Sequence, residues 1–206
     1  QIILSATMLL ALCGTVWADW TTPVAVDEIN TEYVEKAPFL SFDGLNLYFD
    51  RADTTTFYYS RIYQARRDVP YGPFTSVEEI SALNYSGGHI SYAWVSPDNL
   101  RMYCYRTEAG AVHRLKFTQR SSASAPWEPG VNISELNALG SIANPGLTAD
   151  ELTIFFAGYN LAGGLGNWDV WMAMRPDVGS SFGNATNLTA LNSNAVDAHP
   201  RISSNG

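Results

Sequence analysis

Cysteine is scarce in this chain, which has only Cys13 and Cys104. Cys13 falls in a segment expected to be removed, so no internal disulfide is available and stability must come from packing. Charge is sparse as well. Charged residues make up 16% of the chain, the net charge is −8, and no basic run occurs. That excludes the electrostatic footprint of a nucleic-acid binder; an acidic surface favours solubility without naming a partner. Histidine occurs three times, as His89, His113 and His199. None stands at metal-ligand spacing from another, and neither His-Glu-x-x-His nor paired Cys-x-x-Cys is present. The Gly-x-Ser-x-Gly of a nucleophile elbow is missing too. Gly163-Gly164-Leu165-Gly166 lacks the following helix that a phosphate loop needs and reads as a flexible strand connection. We therefore expect no metal, no cofactor and no catalytic residue within the chain.

Apolar residues reach 46%, a composition suited to a packed β protein. The first of them form an almost unbroken run from Ile2 to Leu12, followed by Val16-Trp17-Ala18. This pattern reads as the core and end of a secretory signal peptide over residues 1–18, cleaved before Asp19. A membrane anchor is the alternative, but the run is shorter than the roughly 20 residues a span requires. Lipidation at Cys13 is a second alternative, disfavoured by the bulk of Leu12. The mature chain is expected to be periplasmic or extracellular, without a transmembrane span. The start at Gln1 and the stop at Gly206 suggest part of a longer exported protein.

Residues 19–206 are organised by repetition. Ser41-Phe42-Asp43-Gly44 returns as Ser96-Pro97-Asp98-Asn99, Thr148-Ala149-Asp150-Glu151 and Ser203-Ser204-Asn205-Gly206. From Asp43 to Asp98 is 55 residues, from Asp98 to Asp150 is 52, and from Asp150 to Asn205 is 55. A second landmark keeps step: Trp20 with Asn30, Phe74 with Asn84, Trp127 with Asn137 and Phe182 with Asn192, each asparagine preceded by Ile or Leu. A period near fifty containing strand signals marks a repeat architecture, and propeller blades fall in that range. After each turn comes an apolar run, Leu47-Tyr48-Phe49, Met102-Tyr103-Cys104 or Ile154-Phe155-Phe156, of the kind a buried strand uses. The fold class is thus all-β, with blades of about four antiparallel strands: three blades and the start of a fourth. The expected boundaries are a blade-closing strand over 19–34, repeats over 35–88, 89–141 and 142–196, and the next repeat opening at 197–206. Ser76 to Leu83 and Ile133 to Leu139 are each long enough for a short helix. In the turns, Asp43, Asp98, Asp150 and Asn205 are assigned structural duty, accepting from backbone N–H groups two residues on, while Gly44, Asn99 and Gly206 supply the left-handed conformation. Three blades alone leave two open sheet faces, so an isolated array of this size is expected to be marginally stable.

Over residues 38–49, 93–104, 145–156 and 200–206 the chain resembles the WD40-like, TolB-type β-propeller repeats, whose core is Pro-x-x-Ser-x-Asp-Gly before an apolar strand. Ala93 stands where the second repeat would have proline, and Glu151 replaces glycine in the third; both departures are expected to weaken their turns. The resemblance implies an exported bacterial scaffold, either a binding platform or a domain beside a peptidase. Fold-level analogy does not identify a ligand.

Two sets of residues are candidates for binding. Five positions beyond each repeat asparagine stand Glu35, His89, Ile142 and Asp197, just ahead of the strand expected to line a central channel. Glu35, His89 and Asp197, with His199 beside the last, are the candidate ligand-binding residues; capping of the strand entrance is the structural alternative. The aromatics Trp94, Trp168, Trp171, Tyr58, Tyr59 and Tyr103 are candidates for stacking on sugars or for packing between blades. Asn84, Asn132, Asn184 and Asn187 head glycan-acceptor triplets, which matter in a eukaryotic source. The leading expectation is a non-catalytic module with a protein or polysaccharide partner. The rival is an enzyme in two forms: the propeller domain of a secreted peptidase whose catalytic domain would lie beyond Gly206, or a carbohydrate-active propeller with Glu35, Asp169 and Asp197 as the carboxylates to consider.

Overall fold

The computed structural model describes residues 22–52, 59–85 and 88–203. The leader assigned to 1–18, the orphan aromatic Trp20, Tyr58 and the last turn residues Asn205 and Gly206 lie outside the described residues. Within them, twelve strands form three four-stranded sheets. The first runs β1 (Val34–Leu40), β2 (Asn46–Ala52), β3 (Ser60–Arg66), β4 (Ser76–Glu79). The second runs β5 (Ile90–Val95), β6 (Arg101–Glu108), β7 (Val112–Gln119), β8 (Val131–Asn132). The third runs β9 (Ser141–Leu147), β10 (Thr153–Tyr159), β11 (Trp168–Met174), β12 (Thr186–Asn187). Each is an antiparallel meander in sequence order. One helical turn, α1 (Ser134–Asn137), lies where the sequence allows one. The other expected helix is mostly strand: Ser76 to Glu79 pair with β3, and only Ser81–Leu83 turn as a short 3-10 segment.

The first turn of every blade is built alike. The Ser41 hydroxyl donates to Asp43 Oδ1 at 2.5 Å, which also accepts from the Leu45 N–H at 2.9 Å, while Ser41 Oγ accepts from Asn46 N–H at 2.8 Å. Ser96 with Asp98 and Thr148 with Asp150 repeat the same three bonds. The residue after each aspartate is left-handed, with φ of 71° at Gly44 and 61° at both Asn99 and Glu151. Two of the repeat asparagines close the outer edges, whereas Asn84 donates to Glu79 instead. Asn137 accepts from Leu115 N–H and donates to its carbonyl, and Asn192 does the same at Val170, so a side chain continues the ladder where the strand stops.

Sheets stack through two apolar cores. Tyr48, Ile62, Ile80 and Leu83 of the first blade meet Ile90, Val95, Met102 and Trp127 of the second. Tyr103, Leu115 and Leu136 of the second meet Ile142, Ile154, Phe156 and Trp171 of the third. The free face of the first blade carries a smaller cluster, in which Ile29 from the preceding segment covers Phe49 and Ala65.

Each interface also has a polar latch. Arg120 donates from Nε to the Asn99 carbonyl at 2.8 Å and from a terminal nitrogen to the Tyr48 hydroxyl at 3.2 Å, and its guanidinium lies 4.2 Å from the Trp127 ring centroid. One repeat later, Arg175 bonds the Glu151 carbonyl at 2.9 Å and the Tyr103 hydroxyl at 2.8 Å, 4.4 Å from the Phe182 ring. The aromatic landmark of the repeat is therefore the shelf on which this arginine rests. Glu151 also corrects an expectation: its side chain is buried and takes ion pairs from Arg101 at 2.6 Å and Arg175 at 3.8 Å. The strain of a left-handed non-glycine residue, about 1–2 kcal/mol, is offset by those contacts.

Candidate functional site

The innermost strands β1, β5 and β9 pack side by side, and each breaks register once. The breaks are bulges: Ala37 (φ 51°), Tyr92 (φ 59°) and Asn144 (φ 54°) are left-handed, and His199 (φ 59°) holds the same conformation in the segment that follows. Their separations of 55, 52 and 55 residues match those of the turn aspartates. Pro38, Pro145 and Pro200 stand immediately after three of them, in keeping with proline's tolerance at bulges. A bulge re-aims a side chain, and its repetition at one level makes a ring of re-aimed residues around the inner strands.

Tyr92 is the centre of what this ring gathers. Its ring stacks on His199 at 4.9 Å and on Tyr105 at 5.8 Å, both near parallel. Tyr105 in turn meets the edges of His89 at 5.7 Å and His113 at 5.3 Å. His113 lies 5.5 Å from Trp168, and Trp168 5.2 Å from Tyr159. All three histidines of the chain thus join one aromatic cluster contributed by the second blade, the third blade and the segment after it. The Thr107 hydroxyl stands 2.7 Å from His89 Nε2 and 2.8 Å from His113 Nδ1. A hydroxyl has one proton, so one imidazole accepts from Thr107 while the other donates to it. Burial, with His113 beside it, pushes the His89 ring down to about 4. Burial also lowers His113, and burial with the nearby Arg201 lowers His199. At neutral pH the cluster offers uncharged imidazoles and phenols.

Beneath Tyr92 lies Asp50, fully buried on β2. Its carboxylate accepts the Tyr92 backbone N–H at 3.1 Å and the Ser91 hydroxyl, tying the first blade to the bulge of the second. Burial pushes this carboxyl up to about 7, against the opposing pull of Ser91, Lys36, the Tyr92 N–H and Arg201.

The residues singled out in the sequence divide here. His89 and His199 enter the cluster. Glu35 instead accepts from the Thr31 hydroxyl at 2.6 Å and from Arg51 at 2.7 Å. Burial alone would raise its carboxyl; the bonds from Thr31 and Arg51 hold it below the ordinary value. Asp197 accepts from the Ser193 N–H at 2.6 Å and hydroxyl at 2.8 Å, the same tie to the residue four back. The register sets Ile90, paired with Arg106, level with Glu35 and Ile142, so His89 stands one residue ahead of that column. The extra residue between Asn84 and Asp98 causes the offset. Asp169 is buried and holds the glycine loop by accepting from Leu165 and Gly166 N–H. Of the stacking candidates, Trp94, Trp171 and Tyr103 are core, Trp168 is half-buried and in the cluster, and Tyr59 is exposed.

Asp50, Tyr92, Tyr105, Thr107 and His113 were not singled out from sequence. A signal for Tyr92 exists: it stands six residues before its turn aspartate, as do Ala37, Asn144 and, before Asn205, His199. Among the described residues, no group of three or more His, Cys, Asp or Glu side chains is arranged to hold a metal ion. What the arrangement can do is stack on a ring or apolar face and exchange hydrogen bonds through imidazole, phenol and hydroxyl groups.

No family model and no curated protein matches this chain. Among solved structures it is similar to a protein of Agrobacterium tumefaciens provisionally described as TolB, with a TM-score of 0.57 at 14% identity. The match covers 84% of this chain and 51% of the other, so the chain spans about half the length of that neighbour. At this identity the likeness speaks to architecture alone, and with the three meander sheets it makes the fold one of TolB-like propeller blades.

Proposed function

We propose that the chain belongs to an exported propeller protein that works by binding, without chemistry of its own, and that a protein or polysaccharide partner is held at the inner-strand cluster around Tyr92. The observation that carries this reading is the convergence of Tyr92, Tyr105, His89, His113 and His199 at one level of the bulge ring. Three strained backbone positions are maintained there with non-glycine side chains besides alanine, and strain of that kind clusters where a side chain must be aimed. Export is supported by the apolar leader-like run ahead of Asp19.

The carbohydrate-active reading is less well supported because its carboxylates are occupied. Glu35 and Asp197 close loops and Asp169 anchors a glycine turn. The test is biolayer interferometry of the purified protein against panels of envelope proteins and polysaccharides, with Tyr92→Ala and His199→Ala alongside. The expected outcome is a partner whose affinity falls at least about tenfold in both variants while Tm changes little, since loss of stacking and a hydrogen bond is of that size. A partner bound equally well by both variants would move the site elsewhere.

A further inference from the structure

The opposite end of the inner strands carries a second concavity, and its chemistry differs from that of the cluster. It is a recess of about 140 Å³ walled by Phe39, Phe42, Trp94, Leu147 and Ile202, with Arg201 as its one charged lining residue. Three of those walls form a triangle of rings: Phe39 to Phe42 is 6.3 Å, Phe39 to Trp94 is 6.1 Å and Phe42 to Trp94 is 6.3 Å, all tilted or edge-on. Phe42 occupies the turn position taken by Pro97, Ala149 and Ser204 in the other repeats, and it is 44% exposed. Nothing in the turn's hydrogen bonding requires a large aromatic there.

The fourth wall is fixed by a glycine. Gly146 stands at the repeat position of Phe39, Trp94 and Arg201, and a Cβ on it would come within 2.8 Å of the Pro200 carbonyl. That close approach brings Arg201 over the recess. Its guanidinium lies 5.9 Å from the Phe39 ring centroid and donates from Nη1 to the Pro145 carbonyl at 3.2 Å. The residue is exposed as a whole, while burial around its head group lowers the guanidinium from its ordinary range. On a chain of net charge −8, a guanidinium framed by aromatic rings is a local site for an anion that also has an apolar body.

We infer that this recess binds a small organic acid in which an aromatic ring or branched alkyl group is joined through one or two carbons to a carboxylate, the ring lying among Phe39, Phe42 and Trp94 and the carboxylate pairing with Arg201. The volume suits one ring with a short arm and lies below the roughly 300–1,000 Å³ usual for pockets that take larger ligands. Neither Tyr92 nor any histidine lines the recess, although Arg201 also feels the charge of Asp50 beneath the Tyr92 cluster.

The experiment is calorimetric titration of the full chain with 3-phenylpropionate, its neutral amide, and propionate. A dissociation constant near ~1 mM is expected for the phenyl acid, as a ligand of this size allows. The amide and propionate should each bind at least about tenfold more weakly, because one lacks the charge-assisted pair and the other the ring. Arg201→Gln should cost the phenyl acid about tenfold and leave the amide unchanged. Phe42→Ser, an exposed turn position whose loss leaves the core intact, should cost about fivefold. Phe42→Ser should leave binding at the Tyr92 cluster unaltered, and Tyr92→Ala should leave phenylpropionate binding unaltered. The inference is overturned by no saturable heat from the phenyl acid, by equal binding of acid and amide, or by a peptide ending in phenylalanine binding more than about tenfold tighter than the free acid.

Discussion

The two blade interfaces use one device with different electrostatics. In both, an arginine rests on the aromatic landmark of its own blade, bonds the carbonyl of a left-handed turn residue and reaches back to a tyrosine on the preceding blade. At the first interface the turn residue is Asn99, and Arg120 is 4% exposed with no carboxylate in its latch; burial lowers its guanidinium from the ordinary range. At the second the turn residue is Glu151, which gives Arg175 a counter-charge and recruits Arg101 as well. The bonds from Glu151 and the charge of Asp98 raise the Arg101 guanidinium despite partial burial. A repeat thus fixes the geometry of a contact while leaving its charge free to vary. A buried charge pair is costly to break from one side, whereas in the first latch Arg120 already stands without a counter-charge and a truncation there costs about its hydrogen bonds.

The sharpest way to break this comparison is at Glu151. Glu151→Ala leaves the buried Arg175 without a carboxylate and Arg101 with Asp98 alone, and should destabilise the protein by about 3–5 kcal/mol, read as a lower midpoint in urea. Glu151→Gly restores the repeat's own turn residue and relieves the left-handed strain, so it should cost about 1–2 kcal/mol less than the alanine change. A stabilising Glu151→Gly would refute the role given to the ion pairs. Tyr48→Phe ranks next. It leaves the buried Asn99 Oδ1 without its 2.5 Å donor and should cost about 1–3 kcal/mol. Tyr103→Phe should cost less, because Glu151 keeps Arg101. Adding a counter-charge sharpens the contrast from the other side: Asn99→Glu should stabilise by about 1 kcal/mol by pairing with Arg120, the scale of a partly buried pair after desolvation.

The smallest effect separates the two titrating elements around the axis. Asp50 has a raised folded value of about 7. Between that and the unfolded value of 3.8, the folded state carries a proton that the unfolded state has lost, so its contribution falls as pH rises through this window. His89 is depressed to about 4, so between 6.5 and 4 the unfolded state is protonated first and stability falls as pH drops. Asp50→Asn should flatten the loss of stability as pH rises from 3.8 to about 7, and His89→Gln should flatten the loss as pH falls from 6.5 to about 4. Denaturant midpoints across this range check both, and a profile unchanged by either substitution contradicts the assignment.

Much of the fold was legible because its determinants are local and periodic. The Ser–Asp turn bonds lie within five residues of each other, and Asn137 and Asn192 mark the ends of strands they complete. The candidate site was legible only in part. His89 and His199 drew attention as titratable residues near strand entrances, but an inserted residue placed His89 out of the column it was assigned to. Tyr92 and Asp50 are 42 residues apart, and their contact exists only because the second blade's bulge stacks over β2. Thr107 and His113 face each other across the β6–β7 hairpin, where the second repeat departs most from the others. Glu151, which departs from the turn pattern, gains its role from Arg101 fifty residues away. Contacts between blades are set by stacking geometry, which one repeat's sequence does not contain.

The central claim is that this propeller binds without turning over what it binds. The most direct measurement is mass spectrometry of a partner found by interferometry, recovered after prolonged incubation with the protein. Recovery of the partner intact, with binding dependent on Tyr92, is the predicted result. Cleavage products that disappear in Glu35→Gln, Asp169→Asn or Asp197→Asn would contradict it and make the chain part of a hydrolase.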